Sequence, residues 1–125
     1  MNRFANREYG LVFAGGAVGS LLRYIIGGLL ELTVGASMAG SLSLVIVNVA
    51  GALALGVISS HPRFTSEDKQ SFWAAGFCGG FTTMSGVALF LYQPQSIALT
   101  TVMFGLGFIG FALGVNLGKA SGTKK

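Results

Sequence analysis

Polar side chains able to do chemistry are scarce inside the long apolar runs of this 125-residue chain, and the scarcity makes the few informative. Arg23 is the only charge in LVFAGGAVGSLLRYIIGGLL, and Asn48 is the only amide in LVIVNVAGALALG. A third group is concentrated in GFCGGFTTMSG, where Gly79, Gly80, Thr82, Thr83 and Ser85 follow one another closely. Two glycines before two β-branched threonines are poor helix sequence, so this stretch predicts a break in an otherwise helical run. A break at membrane depth bares backbone carbonyls and N–H groups. Such backbone is tolerated there only when it is buried in protein or lines a wet cavity, as ion sites do. For each hydroxyl taken alone, bonding back to its own helix is the plainer alternative. Arg23, Asn48 and the break together mark a functional locus, because ionisable and amide groups are disfavoured inside spans.

Other chemistries find no support. Cys78 is the only cysteine, which leaves neither an intrachain disulfide nor a thiolate cluster to hold a metal. His61, Glu67 and Asp68 belong to a polar middle segment, where solvated charge is the ordinary role. No nucleotide-binding loop and no nucleophile with its base is visible, so an enzyme is not expected, and no catalytic residue is assigned.

The elements that must position these groups follow from composition. Hydrophobic residues make up 52% of the chain and charged ones 10%, against roughly a quarter charged in soluble domains. Four apolar stretches, at about 11–30, 39–59, 72–91 and 97–117, are each long enough to cross a hydrocarbon core of about 30 Å. The expected fold is therefore an all-α integral membrane protein, a single domain of four transmembrane helices with a broken third helix. The connections ELTVGAS, HPRFTSEDKQ and YQPQS read as turns. A cleaved signal peptide does not suit the first stretch, which holds Arg23 and is followed by three comparable stretches. Small residues recur at four-residue spacing, Gly15 with Gly19, Ala50 with Ala54, Gly76 with Gly80, and Gly110 with Gly114 and Gly118. Such ladders let helix backbones approach closely. A bundle this small encloses little space, so a permeation path would need an interface between subunits.

Cation placement orients the chain. Arg3 and Arg7 precede the first span, Arg63 and Lys69 separate the second from the third, and Lys119, Lys124 and Lys125 follow the fourth. The connections on the opposite side, Glu31 to Ser37 and Gln93 to Gln95, contain no Lys or Arg. The positive-inside rule then predicts a multi-pass protein of the plasma membrane with both termini cytoplasmic. The net charge of +4 is thus a topology signal with some attraction for anionic lipid, and a nucleic-acid partner is not called for.

With these blocks in place the sequence resembles a family. GGAVGSLLRY from Gly15 to Tyr24, VNVAG from Val47 to Gly51 and GFCGGFTTMS from Gly76 to Ser85 are similar to the three signature blocks of the Fluc (CrcB) fluoride channels. The resemblance covers the whole chain, with the blocks in order. It implies an antiparallel dimer of four-helix subunits carrying fluoride pores, with a structural sodium ion at the dimer interface. Carried over by position, Asn48 matches the pore asparagine and Arg23 the arginine near the aqueous vestibule. Thr83 and Ser85 fall on the fluoride pathway, and the backbone carbonyls of Gly79 and Thr82 match those that hold sodium. The chemistry agrees: an amide NH2 offers two donors to a strongly hydrated anion, a guanidinium raises local anion concentration, and carbonyl oxygens suit a hard cation.

The family's pattern departs here at Met84 and Val87, which stand where two phenylalanines usually turn their positive ring edges to the anion. The fourth span carries Thr100, Thr101 and Asn116 in place of a Tyr and Ser track. An antiparallel homodimer needs one sequence to insert both ways, whereas the cation bias fixes a single direction. The expectation is a heterodimer with an oppositely oriented paralogue, in which this chain is a fluoride channel subunit exporting the ion by passive permeation. A non-conducting structural partner subunit is the first alternative. A small multidrug-type exporter is the second, although Glu31, the only candidate coupling carboxylate, lies at a helix end.

Overall fold

The computed structural model describes residues 3–92 and 96–122, with side chains from 6 onward and without that of residue 96. The expected turn Gln93 to Gln95 and the cations Lys124 and Lys125 lie outside the described residues. Helix α1 runs Arg3–Val34 and α2 runs Ala36–Ser60. Helix α3 occupies 67–81, opening with an α-helical turn at Glu67–Lys69, continuing as a π-helix over Gln70–Cys78 and closing with a turn at Gly79–Phe81. Helices α4, Met84–Leu91, and α5, Ser96–Gly122, complete the chain, and no strand occurs among the described residues. Among the described residues, four segments are long and apolar enough to cross a membrane: Asn6–Val34, Ala36–Ser60, Glu67–Leu91 and Ile97–Gly122. The expected all-α membrane bundle is therefore what the chain forms.

The helices are longer than hydropathy alone sets them. The first connection was expected over ELTVGAS, but Glu31 to Val34 contain no helix breaker and α1 continues through them, with Thr33 Oγ1 donating to the Leu29 and Leu30 carbonyls, 3.0 Å each. The turn is left to Gly35 alone, at φ 82°, a backbone region that side chains resist. In the middle segment His61 Nδ1 accepts from Arg63 N at 3.0 Å and caps a 3₁₀ turn over Pro62–Phe64, so that helix resumes at Glu67, ahead of the expected Phe72.

Two glycine-lined seams hold the bundle. In the first, α1 packs on α3 so closely that a Cβ on Gly76 would lie 2.7 Å from Val12 O and 3.0 Å from Gly15 Cα. In the second, α2 packs on α5, where a Cβ on Gly56 would lie 3.0 Å from Val115 N. Gly15, Gly19 and Gly80 line the first seam, and Gly110, Gly114 and Gly118 the second, as their spacing predicted. Ala50 is exposed instead, and its neighbour Gly51 takes the buried place against Phe81 and Thr82. The outer surface is apolar, with Phe13 79% and Leu32 86% exposed, which suits lipid and not water. At the end where α1 begins and α3 begins, Arg7 Nη2 and Asp68 Oδ2 pair at 2.7 Å.

Candidate functional site

The third span breaks at Thr82 and Thr83, where backbone angles change from helical to extended (φ −81°, ψ 163° and φ −146°, ψ 112°). Both sides of the break are secured from within. Thr82 N and Thr82 Oγ1 donate to the Cys78 carbonyl at 3.0 and 2.8 Å, closing α3. Thr83 Oγ1 accepts from Gly86 N at 3.1 Å and caps α4, as a threonine at that position does. Thr83 Oγ1 also shares a hydrogen bond with Ser85 Oγ at 3.2 Å.

The two spans that carry Asn48 and Arg23 complete the arrangement. Asn48 Oδ1 accepts from Thr83 N at 2.9 Å, taking the donor that would have gone to Gly79 had the α-helix continued. Asn48 Nδ2 donates to the Leu44 carbonyl at 2.9 Å and lies 3.8 Å from Met103 Sδ. Arg23 Nη1 donates to the Thr82 carbonyl at 3.0 Å, and Ser20 Oγ, one turn before it, to the Gly80 carbonyl at 3.3 Å. The half-buried guanidinium thus sits at the C-terminal end of α3, where the helix dipole favours positive charge. Adjacent residues of the break are held from opposite sides, Thr82 by Arg23 and Thr83 by Asn48.

Two concavities meet at this partition. One, of about 500 Å³, is lined by Arg23, Glu31, Ser43, Leu44 and Thr83. The other, of about 360 Å³, lies between α2 and α5 and is lined by Asn48, Met84, Val87, Met103, Phe104 and Phe108. Thr83 faces the first and Asn48 the second, so the 2.9 Å bond between them spans the wall. Val87 is 2% exposed and packs with Leu44 and Met103, whereas Met84 is 68% exposed. Gly79 is exposed, with nothing within 4 Å of where a Cβ would stand. Thr101 bonds back to the Ile97 carbonyl at 2.9 Å, Asn116 is exposed, and the Thr100 hydroxyl is buried without a hydrogen bond.

A family model described as "CrcB-like protein, Camphor Resistance (CrcB)" matches residues 10–118, from before the first glycine seam to the end of the second. The chain belongs to the CrcB family. Among its relatives, the fluoride-specific ion channel FluC 2 of Corynebacterium jeikeium is 33% identical over 87% of this chain and 78% of its own length. The fluoride-specific ion channel FluC 2 of Bacillus licheniformis is 32% identical over 95% and 96% respectively, and that of Halobacterium salinarum 34% over 90% and 87%. No solved structure gives a significant match.

Several residues of this CrcB chain reach the site unannounced by the sequence. Met103, Phe104 and Phe108 share a face of α5 at helical spacing, a pattern that usually means packing alone. Ser20 sits one turn from Arg23, and that spacing is the only sign of a shared task.

Proposed function

We propose that the chain is a subunit of a fluoride-specific ion channel, through which fluoride leaves the cytoplasm passively, in a plasma membrane with both termini on the cytoplasmic side. The names of its relatives support the ion, and the observation that carries the reading is Asn48 bonded to Thr83 at 2.9 Å in the wall between two concavities. On the Arg23 side a guanidinium draws anions toward the break. On the other side the Nδ2 hydrogen not given to Leu44 faces only a thioether, a weak acceptor that fluoride outcompetes. The hydroxyls of Thr83 and Ser85 add donors that can turn toward a passing anion. Met84 and Val87 occupy the pathway without contributing ring edges. The apolar walls keep the Asn48 groove dry, which strengthens each remaining donor.

The partner in this reading is an inverted paralogue, because Arg7, Arg63, Lys69 and Lys119 all lie toward one end of the helix bundle. An exposed concavity beside exposed Met84 suits closure by a second subunit. A sodium ion at that interface fits the donors in part. The Gly79 carbonyl loses its α-helical donor to Asn48 and stands on an open face, whereas the Thr82 carbonyl already accepts from Arg23 and has one lone pair left. Gly79 and Thr82 would hold the ion through backbone oxygen, and the ion would supply fixed positive charge between subunits. Burial of Val87 against Leu44 and Met103, at 2% exposure, favours a second reading, in which the chain scaffolds a conducting paralogue.

Reconstitution tests the proposal. The chain is placed in liposomes alone and with a co-expressed FluC-type subunit of opposite charge bias, and fluoride efflux is followed with an ion-selective electrode. Fluoride flux without chloride flux in the pair is the expected result. Absence of fluoride flux in both preparations refutes the reading, and robust flux through the lone chain removes the inverted partner from it.

A further inference from the structure

The Asn48 side chain has two N–H groups and a single strong acceptor. One hydrogen goes to the Leu44 carbonyl at 2.9 Å, and the other is directed at Met103 Sδ, 3.8 Å from the nitrogen. Thioether sulfur accepts weakly, so this second donor is covered but hardly satisfied. Met103 is itself 4% exposed and belongs to the small core formed with Leu44 and Val87, yet it also borders the open groove of about 360 Å³. An unbranched side chain with three rotatable bonds can leave one contact for another at little cost, and the groove gives it somewhere to go. Phe104 and Phe108 line the same groove and offer aromatic surface on which sulfur packs favourably.

From this geometry we infer that Met103 is a displaceable cover on the Asn48 amide: its sulfur holds the second N–H dry while no anion is present and swings into the groove when fluoride takes its place. The cover also determines specificity. A larger, softer anion gains less from a single N–H and does not repay the displacement, whereas a small hard anion does. The inference rests on fluoride meeting Asn48, and it adds a residue that the passage of the ion must move.

The test uses the full chain, with 13C-labelled methionine methyl groups and 15N-labelled asparagine, paired in nanodiscs with the unlabelled FluC-type subunit of opposite charge bias. Met38, 65% exposed and outside the groove, serves as the lipid-facing reference. On titration with sodium fluoride, the Met103 methyl signal should move saturably with the same midpoint as the Asn48 amide signal, and sodium chloride should move neither. An Asn48 amide that responds to fluoride beside a Met103 methyl that stays still overturns the inference and leaves the channel reading standing. Silence of both signals overturns the two together. Met103→Ala, which uncovers the amide to water, should reduce the fluoride-to-chloride flux ratio by about tenfold, the scale on which lost pocket methylenes erode discrimination. An unchanged ratio in that variant also overturns it.

Discussion

Asn48 performs two tasks with opposite ends of one amide, and two substitutions separate them. Oδ1 holds the break by accepting from Thr83 N, and Nδ2 presents a donor to the groove. Asn48→Ala removes both: Thr83 N–H is left without a partner in a half-buried segment, a loss of about 1–3 kcal/mol in folding stability. Asn48→Asp in its neutral carboxylic acid form keeps an oxygen for Thr83 N and one O–H for the Leu44 carbonyl but has no second donor for the groove, so most of that stability should remain. For the ion, one hydrogen bond to a charged acceptor contributes about 1.5–3 kcal/mol, so its removal should lower fluoride occupancy and efflux by about 10- to 150-fold in either variant. Unfolding in detergent followed by tryptophan fluorescence measures the first quantity, and fluoride efflux from liposomes the second. Wild-type efflux in Asn48→Asp would refute the assignment of the donor. Undiminished stability in Asn48→Ala would refute the assignment of the acceptor.

The glycine seams predict a contrast between two nominally identical changes. Gly80→Ala places a methyl 2.8 Å from Gly16 Cα and should destabilise the chain by about 1–3 kcal/mol, whereas Gly105→Ala meets nothing within 4 Å and should stabilise it by about 0.5–1 kcal/mol, read from the same unfolding curves. Orientation is testable with exposed positions at opposite ends: in intact cells an impermeant thiol reagent should label Ser37→Cys and spare Thr65→Cys, with buried Cys78 silent in both, and the reverse pattern would place the termini outside.

Much of this fold was legible because the membrane leaves the chain few choices. Apolar runs of about 20 residues must be helices, and GGFTT must interrupt one. The ends of the helices were less legible, since Glu31 and Thr33 are polar enough to suggest a loop, yet with Leu32 between them they are compatible enough with a helix to extend one. Fold and family follow from local patterns, but the wiring of the site does not. Arg23 meets Thr82 across 59 positions and Asn48 meets Thr83 across 35, and no spacing in the sequence announces such pairings. Met103 was invisible for a further reason: methionine at helical spacing in an apolar run looks like filler, and only its sulfur's approach to Asn48 makes it otherwise.

The π-helix over Gln70–Cys78 is separated from the break only by the turn Gly79–Phe81, so its winding bears on which way the break faces. Each turn of that geometry takes up one residue more than the hydrogen-bond ladder of an α-helix, and each residue advances an α-helix by about 100°. A shift of one position within these nine residues therefore turns Gly79 to Thr83 by more than a quarter of a circle. The segment lies between the exposed Arg7–Asp68 ion pair at one end and the Arg23 and Asn48 contacts at the other. A residue gained or lost there would turn Gly80 out of its seam with α1 as it aimed a different pair of backbone groups at the wall between the two concavities, so the glycine seam and the break constrain the length of this segment together.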